Sequence, residues 1–251
     1  MKCLKYKKAC LYAALFSLVI LLEHTYGEKN SRDLTPVAVW TFEKDPGDST
    51  GTIQGELIGN AKVENGRLIL DGKNSYLQTT PLPFSLREKT ISVRCANKNK
   101  DQRYAGVVAV TGLQGVPNDT VCYGYVEPKR WGPGSEWAFR SANLQAAEDK
   151  TPENEIVEVD ATYSQDGEIA FYVNGKPYGK KYNPDSPTQD YRSKRYKLLI
   201  GTGIDHRIQK AAGSFNGDID EVSIYDKALK PEEIERIYHK KQSATNPQQN
   251  P

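Results

Sequence analysis

The sequence predicts an all-β fold, an antiparallel β-sandwich with one short C-terminal α-helix. Short runs rich in β-branched and aromatic residues recur along the chain, and Gly, Pro, Asn and Asp separate them. Within several runs apolar and polar residues alternate, as in Thr90–Cys95, which is the period of a half-buried strand. Many short strands joined by turns are typical of sandwiches, in which each of two sheets buries one face.

The predicted strands begin at residue 37 and continue almost to the C-terminal helix. In chain order they are Val37–Phe42, Arg67–Leu70, Tyr76–Thr79, Thr90–Cys95, Gly106–Val110, Thr120–Val126, Ile156–Tyr163, Glu168–Val173, Lys176–Lys181, Lys197–Ile200 and Gly217–Tyr225. Asp166-Gly167 and Asn174-Gly175 are typical of tight hairpin turns, because these residue pairs tolerate positive φ angles.

One segment, Leu229–Tyr238, has the pattern of a helix. Pro231 lies in its first turn with two glutamates, whose charge interacts favourably with the helix dipole. Apolar residues at positions 234, 237 and 238 form one stripe, so we expect the helix to pack on the sandwich. The β domain is expected over residues 36–240, after a linker at 28–35. The polar residues 241–251 are expected to be a disordered tail.

The N-terminus has the pattern of a secretory signal peptide over residues 1–27. Four lysines precede an apolar run, Leu11–Leu22, and a short polar region ends at Gly27, after which we expect cleavage. The run of twelve residues is shorter than the roughly 20 that a membrane-spanning helix needs. The mature protein is therefore expected to be secreted, periplasmic or at the cell surface, without stable membrane insertion. Retention of the segment as an anchor is the alternative.

The charge balance argues against nucleic acid as a partner. The chain has 34 basic and 32 acidic residues, and removal of residues 1–27 leaves 30 basic and 31 acidic residues. The small basic excess therefore belongs to the signal segment, and no Lys/Arg cluster lies on the predicted helix of the mature chain. The remaining 224 residues are enough for one large β domain.

Two cysteines, Cys95 and Cys122, remain after the signal segment. Export permits a disulfide between them. They lie in different predicted strands with a third strand between them in sequence, and a bridge needs Cα atoms closer than about 7 Å. The alternative is that both are small buried apolar side chains.

An aromatic segment, Tyr123–Arg140, is the candidate carbohydrate platform. Its prolines and glycines indicate a loop. Exposed aromatic faces stack on the C–H faces of sugar rings, while neighbouring polar groups bind hydroxyls. The candidate ligand-binding residues are Tyr125, Arg130, Trp131, Glu136, Trp137 and Arg140. The alternative is that Trp131 and Trp137 anchor the loop to the sandwich.

Five segments together have a pattern shared with a known family: Val37–Glu43, Leu70–Leu77, Thr90–Val93, Ala161–Lys176 and Gly213–Tyr238. They resemble LamG-like jelly rolls of the concanavalin A-like lectin/glucanase superfamily, which includes laminin G and pentraxin-like domains. The last segment is the most specific, because it joins a closing strand to a short capped helix. Residues 101–135 resemble the variety of this domain found in large secreted bacterial proteins. The resemblance implies a jelly-roll sandwich that binds or spaces other molecules, mostly without catalysis.

The resemblance also implies a candidate calcium site. Pentraxin-like relatives hold calcium between an Asp/Asn…Ser-Tyr turn and an acidic loop before the closing strand. The matching positions are Asp71, Asn74, Asp205 and Gln209. Calcium prefers six to eight oxygen ligands. The alternative is ordinary turn chemistry at Asp71 and Asn74.

Catalysis is the less favoured alternative. A retaining glycoside hydrolase needs two carboxylates about 5–5.5 Å apart, and Glu158-Val-Asp160 or Asp218-Ile-Asp220 would place two on one strand face. Neither pair is followed by the further glutamate of the Glu-x-Asp-x-x-Glu pattern of glucanases in the superfamily, so we assign no catalytic residue. Alternation along the last strand predicts that Glu221 faces away from Asp218 and Asp220.

These observations together predict an exported, non-catalytic binding module. The expected partner is a polysaccharide or glycoconjugate, with calcium as the one candidate cofactor. A structural or protein-interaction module that contacts a surface protein is the alternative, and a glycoside hydrolase is less favoured.

Overall fold

The computed structural model describes residues 34–136, 139–205 and 210–245. Within these ranges it has sixteen strands, all paired in antiparallel ladders, and one helix. The elements are β1 (Ala38–Trp40), β2 (Gly55–Ile58), β3 (Lys62–Glu64), β4 (Arg67–Asp71), β5 (Tyr76–Thr79), β6 (Lys89–Asn97), β7 (Ala105–Gly112), β8 (Asn118–Tyr123), β9 (Trp131–Pro133), β10 (Ile156–Tyr163), β11 (Ile169–Val173), β12 (Lys176–Pro177), β13 (Tyr196–Ile200), β14 (Gly203–Asp205), β15 (Lys210–Ala212), β16 (Asn216–Tyr225) and α1 (Pro231–Thr245). The chain divides into two units, Met1–Thr35 and Pro36–Pro251, and all of these elements belong to the second.

Two sheets form the sandwich. The eight-stranded sheet has the order β12-β11-β10-β6-β16-β4-β3, and β1 pairs with the second half of β16. The six-stranded sheet has the order β2-β5-β13-β7-β8-β9. Strands β14 and β15 form a separate hairpin. This arrangement confirms the predicted all-β antiparallel jelly-roll sandwich with a C-terminal helix.

The hydrophobic core lies between the two sheets. Alternate residues of β10, such as Val157 and Val159, are buried there, and Ile91 and Val93 of β6 occupy the same layer. Trp40 is fully buried among them, at 0% exposure. Burial of large apolar side chains supplies most of the folding free energy, at about 25 cal/mol per Å².

The helix α1 lies against the outer face of the eight-stranded sheet. At its start Glu233 accepts a hydrogen bond from the Lys230 amide, which satisfies a backbone donor that the helix leaves unpaired. Ile234 is buried, while Tyr238 contacts Gly175 in the β11–β12 turn. The helix continues to Thr245, so the first five residues of the expected tail are helical.

A β-bulge in β16 changes the faces on which its acidic residues lie. The pairing with β6 shifts between Ile219 and Glu221, so Asp220 is the additional residue. Ile219 and Val222 both point into the core, and Glu221 therefore lies on the outer face. The expectation that Glu221 faces away from Asp218 and Asp220 is wrong, because the bulge interrupts the alternation on which it depends.

Candidate functional site

The β14–β15 hairpin packs on the outer face of the six-stranded sheet, against β7 and β8. Its backbone approaches β7 very closely, since the Gly106 amide donates to the Gly213 carbonyl at 2.7 Å. A Cβ at Gly106 would lie 2.0 Å from the nitrogen of Gly203, so this approach requires glycine at position 106. The hairpin has a cavity on each side, and Ile204 lines both of them.

The first cavity, called here the tyrosine cavity, has a volume of about 580 Å³. Its lining includes Tyr104, Thr120, Tyr125, Ser141, Ile204 and Asp205. The volume is within the range of about 300–1,000 Å³ that is usual for small-molecule sites, and such sites combine apolar walls with a few polar groups. The lining of the tyrosine cavity likewise combines apolar walls with a few polar groups.

Two aromatic rings define one wall of the tyrosine cavity. Tyr104 is 60% exposed, and its ring meets that of Tyr125 edge to face, with centroids 5.9 Å apart and planes at 81°. The Arg103 guanidinium lies 5.3 Å from the Tyr104 ring, and its Nε donates to the Gly124 carbonyl at 2.8 Å. Tyr104 has a φ of 57°, an unusual backbone conformation for a bulky residue. An exposed aromatic ring is therefore held in a defined orientation.

The tyrosine cavity has few polar groups, and Thr120 and Asp205 among them are buried. Thr120 Oγ1 is buried and has no hydrogen-bond partner among the described residues. Asp205 is 8% exposed. The pKa of Tyr125 is raised to about 12, first by burial and then by the neighbouring Cys122, Tyr104 and Asp205. The Tyr125 phenol therefore stays protonated at neutral pH.

The second cavity, called here the lysine cavity, has a volume of about 420 Å³. Its lining includes Asn74, Tyr76, Gln78, Lys197, Thr202 and Ser214, from β13, β5 and their neighbouring loops. The Lys197 ammonium donates to Gln78 Oε1 at 2.7 Å. Burial lowers the pKa of Lys197, and the more distant Glu56 carboxylate partly opposes this.

The structure brings one described member of the predicted carbohydrate platform, Tyr125, into the tyrosine cavity. Trp131 is 2% exposed, because β9 carries it into the core against Tyr123, with centroids 4.8 Å apart. The expectation of an exposed Trp131 ring is wrong, and the alternative of an anchoring tryptophan describes this residue. Trp137 lies outside the described residues.

The polar members of the predicted platform bind within the protein. Arg130 donates to the backbone carbonyls of Ala146 and Pro128, at 2.9 and 3.1 Å. Glu136 is half-buried, and its amide donates to the Asn118 carbonyl at 3.0 Å. These contacts hold the loop against the sandwich, and neither side chain is among the residues that line the tyrosine cavity.

The prediction that Arg140 is an exposed sugar-binding residue is wrong, because Arg140 is 1% exposed and belongs to a buried ionic cluster. Its Nη1 lies 2.7 Å from Asp119 Oδ1, and the Lys89 ammonium lies 2.8 Å from Asp119 Oδ2. Tyr191 also donates to this carboxylate. Burial opposes the charge on Asp119, but the two cations outweigh it and lower the pKa of its carboxyl.

The predicted calcium ligands do not converge in the described structure. The Asp71 carboxylate accepts hydrogen bonds from the Ser75 hydroxyl, the Asn60 amide group and the Lys73 backbone amide, which lower its pKa to about 2. Asn74 lines the lysine cavity, whereas Asp205 lines the tyrosine cavity.

The fourth predicted calcium ligand, Gln209, lies outside the described residues. Within the described ranges, no group of three or more His, Cys, Asp or Glu side chains is arranged to hold a metal ion. Calcium binding stays a prediction from the resemblance.

The two cysteines lie in different sheets, Cys95 in β6 and Cys122 in β8, and both are free thiols. Burial raises the pKa of Cys122 to about 12 and that of Cys95 still further. The candidate disulfide is not formed in this structure. Both thiols are buried, as the alternative interpretation expected.

Each carboxylate considered for catalysis either forms an ion pair or is covered by the helix α1. Asp218 lies 2.5 Å from the Lys98 ammonium, and Asp220 contacts two arginines. Glu158 and Asp160 share the outer face of β10, each 2% exposed, and Lys241 of α1 covers them. This pair lies on the outer face of the eight-stranded sheet, whereas the tyrosine cavity lies on the outer face of the six-stranded sheet.

Two antiparallel sheets with a closing strand and a terminal helix define a jelly-roll domain, and the comparisons with known proteins specify its family. The family profile described as the concanavalin A-like lectin/glucanases superfamily, of the laminin G type, matches residues 71–235. The chain belongs to this superfamily. No curated protein sequence is significantly similar to it.

Solved structures share the fold at low sequence identity. Domain 4 of AbnA, a GH43 extracellular arabinanase from Geobacillus stearothermophilus solved with arabinotriose, is 19% identical with a TM-score of 0.58, covering 81% of this chain and 98% of that one. Trypanosoma rangeli sialidase with sialic acid is 14% identical with a TM-score of 0.61, covering 84% and 34%. The botulinum neurotoxin serotype G binding domain is 12% identical with a TM-score of 0.56, covering 84% and 52%. The chain thus spans about a third of the sialidase and half of the neurotoxin domain.

Sequence reasoning missed Tyr104, Thr120 and Lys197 as site residues. They lie on or beside three different strands, and none belongs to a local motif. The available signal was the glycines at 106, 203 and 213, which permit the close approach of the hairpin. Among the described residues, no helix combines the length and the hydropathy that crossing a membrane requires.

Proposed function

We propose that this protein is an exported, non-catalytic binding module that takes a glycan in the tyrosine cavity. The observation that carries the proposal is the exposed Tyr104 ring, which is held against Tyr125 beside the unpartnered hydroxyl of Thr120. A sugar ring has apolar C–H faces that stack on an aromatic ring and hydroxyls that can satisfy a buried polar group.

Carbohydrate association of a structural neighbour supports this proposal. The AbnA domain was solved in complex with arabinotriose, and the similarity to this chain covers 98% of that domain. Fold similarity alone is a weak argument for function. The proposal therefore depends on the chemistry of the tyrosine cavity in this chain.

The absence of catalysis is part of the proposal. Among the described residues that line the tyrosine cavity, Asp205 supplies the one carboxylate. A glycoside hydrolase of the usual kind needs a pair of carboxyl groups across the scissile bond. The two carboxylates that share one face of β10, Glu158 and Asp160, lie on the outer face of the other sheet, beneath Lys241.

The export component rests on the N-terminal sequence. Four lysines followed by an apolar run and a short polar region are the pattern of a signal peptide. An exported protein would meet extracellular or cell-wall polysaccharides.

The test is calorimetric titration of the full chain with arabinotriose and a panel of other neutral oligosaccharides. We expect at least one of them to bind and to raise the melting temperature. Tyr104→Ala should weaken that binding about ten-fold, since stacking on an aromatic ring contributes up to about 1.5 kcal/mol. Phe139→Ala is the matched control, because Phe139 is an exposed ring, 80% exposed, that is not among the cavity-lining residues.

Three results would contradict the proposal. Binding that is equally strong in Tyr104→Ala would place the ligand elsewhere. Absence of any glycan binding, together with recovery of a protein partner in a pull-down, would favour the protein-interaction alternative. Reducing ends that accumulate from a polysaccharide, and that depend on Glu158 or Asp160, would show a hydrolase.

A further inference from the structure

The lysine cavity contains a cation without a carboxylate partner. Lys197 lies on the outer face of β13, and its ammonium donates to the neutral amide oxygen of Gln78 at 2.7 Å. Within the part of the chain that the structure describes, no Asp or Glu forms an ion pair with it. An ammonium has three donors, so Lys197 retains hydrogen-bonding capacity for a ligand.

The surroundings of Lys197 increase its attraction for an anion. Its ammonium is partly withdrawn from water, and burial lowers its pKa. A charge that has lost part of its hydration interacts more strongly with a counter-charge than one in bulk water. Glu56 lies on β2, which is separated from β13 by β5. It is exposed and partly opposes the shift, though it makes no ion pair with Lys197 among the described residues.

The other polar groups of the lysine cavity suit an anion. Asn74, Tyr76 and Ser214 can each donate a hydrogen bond, and they line the same space as Lys197. No acidic side chain is among the described residues that line it. A carboxylate or sulfate would therefore meet donors and one positive charge, with Glu56 outside this lining as the carboxylate near Lys197.

The two cavities are adjacent. Ile204 of β14 lines both, with Asp205 towards the tyrosine cavity and Ala211 towards the lysine cavity. A ligand that extends past Ile204 can therefore occupy both. The tyrosine cavity has an exposed aromatic ring and one carboxylate, whereas the lysine cavity has a cation, so the two favour different sugar units.

We propose that the lysine cavity binds the carboxylate or sulfate group of an acidic sugar unit, within the same glycan whose neighbouring unit stacks on Tyr104. This inference rests on the proposed function, and it narrows the ligand from glycans in general to acidic oligosaccharides. Lys197 is the residue that distinguishes the acidic ligand from a neutral one of the same shape.

The experiment is calorimetric titration of the full chain with tetragalacturonate and with its methyl ester, which has the same rings without the charges. A sulfated arm uses a chondroitin sulfate tetrasaccharide and its desulfated form. We expect tetragalacturonate to bind about ten-fold more tightly than its methyl ester at low salt, or the sulfated probe to bind about ten-fold more tightly than its desulfated form, which keeps its carboxylates. Either preference should decrease as salt rises. The arm that shows the larger preference identifies carboxylate or sulfate.

Three variants locate the effect. Lys197→Met keeps most of the side-chain volume. It should remove the preference for the acidic probe, which is about ten-fold, and leave the affinity for the methyl ester unchanged. Glu56→Gln should strengthen binding of the acidic probe, because it removes a nearby negative charge. Lys176→Met is the matched control, since Lys176 is an exposed lysine on β12 of the other sheet.

The outcomes separate this inference from the proposed function. If the neutral probes bind through Tyr104 and the acidic ones bind no more tightly, the inference is overturned and the proposed function stands. If Lys197→Met weakens acidic and neutral probes alike, the lysine shapes the cavity and does not select charge, which also overturns the inference. If no probe, acidic or neutral, binds, both proposals are overturned.

Discussion

Lys241, in the last turns of the helix, lies over Glu158 at the centre of the eight-stranded sheet, with Nζ and Oε2 3.2 Å apart. The same ammonium lies 2.9 Å from Glu221 Oε1. Burial alone would lower the pKa of Lys241, but these carboxylates outweigh it and raise the pKa. Because Glu158 is 2% exposed, the helix supplies the ion-pair partner of a carboxylate that the sheet buries.

We expect Lys241→Met to destabilise the protein by about 3 kcal/mol at pH 7, since Glu158 would be left as a buried charge without its partner. Lys240→Met is the control, because Lys240 is the neighbouring exposed lysine and its change should cost less than about 0.5 kcal/mol. Urea denaturation of the two variants measures the difference. Equal stability of both variants would contradict the role assigned to Lys241.

Asp160 makes stability depend on pH. Its pKa is raised to about 7, first by burial and then by the Glu158 carboxylate, whereas in the unfolded chain the value is about 3.9. Between these values the folded protein holds a proton that the unfolded chain has released, so this contribution to stability falls as pH rises from about 4 to 7. Asp160→Asn should therefore stabilise the protein at pH 8, by on the order of 2 kcal/mol, and much less at pH 4.5.

Denaturation at pH 8 and at pH 4.5 tests the direction of this change in stability. An exposed aspartate provides the control. Asp166, in the β10–β11 turn, has a lowered pKa, first because it accepts a hydrogen bond from Ser164. The folded state therefore favours its ionised form, and Asp166→Asn should lose stability at pH 8 and not gain it. An Asp160→Asn variant whose stability differs from wild type by the same amount at both pH values would show that the carboxyl does not titrate between them.

Gly106 should control the binding site without controlling the fold. A side chain there would meet the backbone of Gly203 at 2.0 Å, so Gly106→Ala must displace the hairpin that separates the two cavities. We expect glycan binding to fall by at least ten-fold while the circular dichroism spectrum is unchanged. Gly132→Ala is the control, because its new methyl group would meet only Leu144 within 4 Å, at an ordinary distance of 3.9 Å. Retained glycan binding in Gly106→Ala would contradict the assignment of the binding site to the cavities beside the hairpin.

Asp119 should be the most sensitive member of the buried ionic cluster. Its carboxylate pairs with both Lys89 and Arg140, so Asp119→Asn leaves two buried basic groups without their counter-charge. We expect a loss of about 3–5 kcal/mol. Arg140→Met removes one cation and keeps the Lys89 pair, and it should cost less. Equilibrium denaturation ranks the two variants, and the reverse order would contradict this account.

The sequence predicted strands, long and short, whose side chains alternate between core and surface. Ile156–Tyr163 and Tyr76–Thr79 were predicted with the observed bounds. The short elements β2, β3 and β9 lie at sheet edges, and they were missed because glycine or proline within or beside each of them indicated turns. Strands β14 and β15 were missed because their glycines and alanines give no strand pattern.

The site was harder to predict than the fold. Trp131 looked exposed because glycines and prolines surround it, yet three residues of edge strand carry it into the core. Tyr104 and Lys197 are distant in sequence, and they reach one face because β13 pairs with β7. Local patterns contain no information about such pairings. The helix end was missed for the same reason, as the contact that holds Lys241 is with residues of β10 and β16.

The hairpin between the two cavities places the proposed binding site apart from the elements that stabilise the fold. The apolar core lies between the sheets, and the helix and its ion pairs lie on the far side of the eight-stranded sheet. The β14–β15 segment contributes to the walls of both cavities and belongs to neither sheet. Ligand preference can therefore change through a short exchangeable segment while the scaffold is inherited intact, which makes this hairpin the natural position for engineering or evolutionary diversification of specificity.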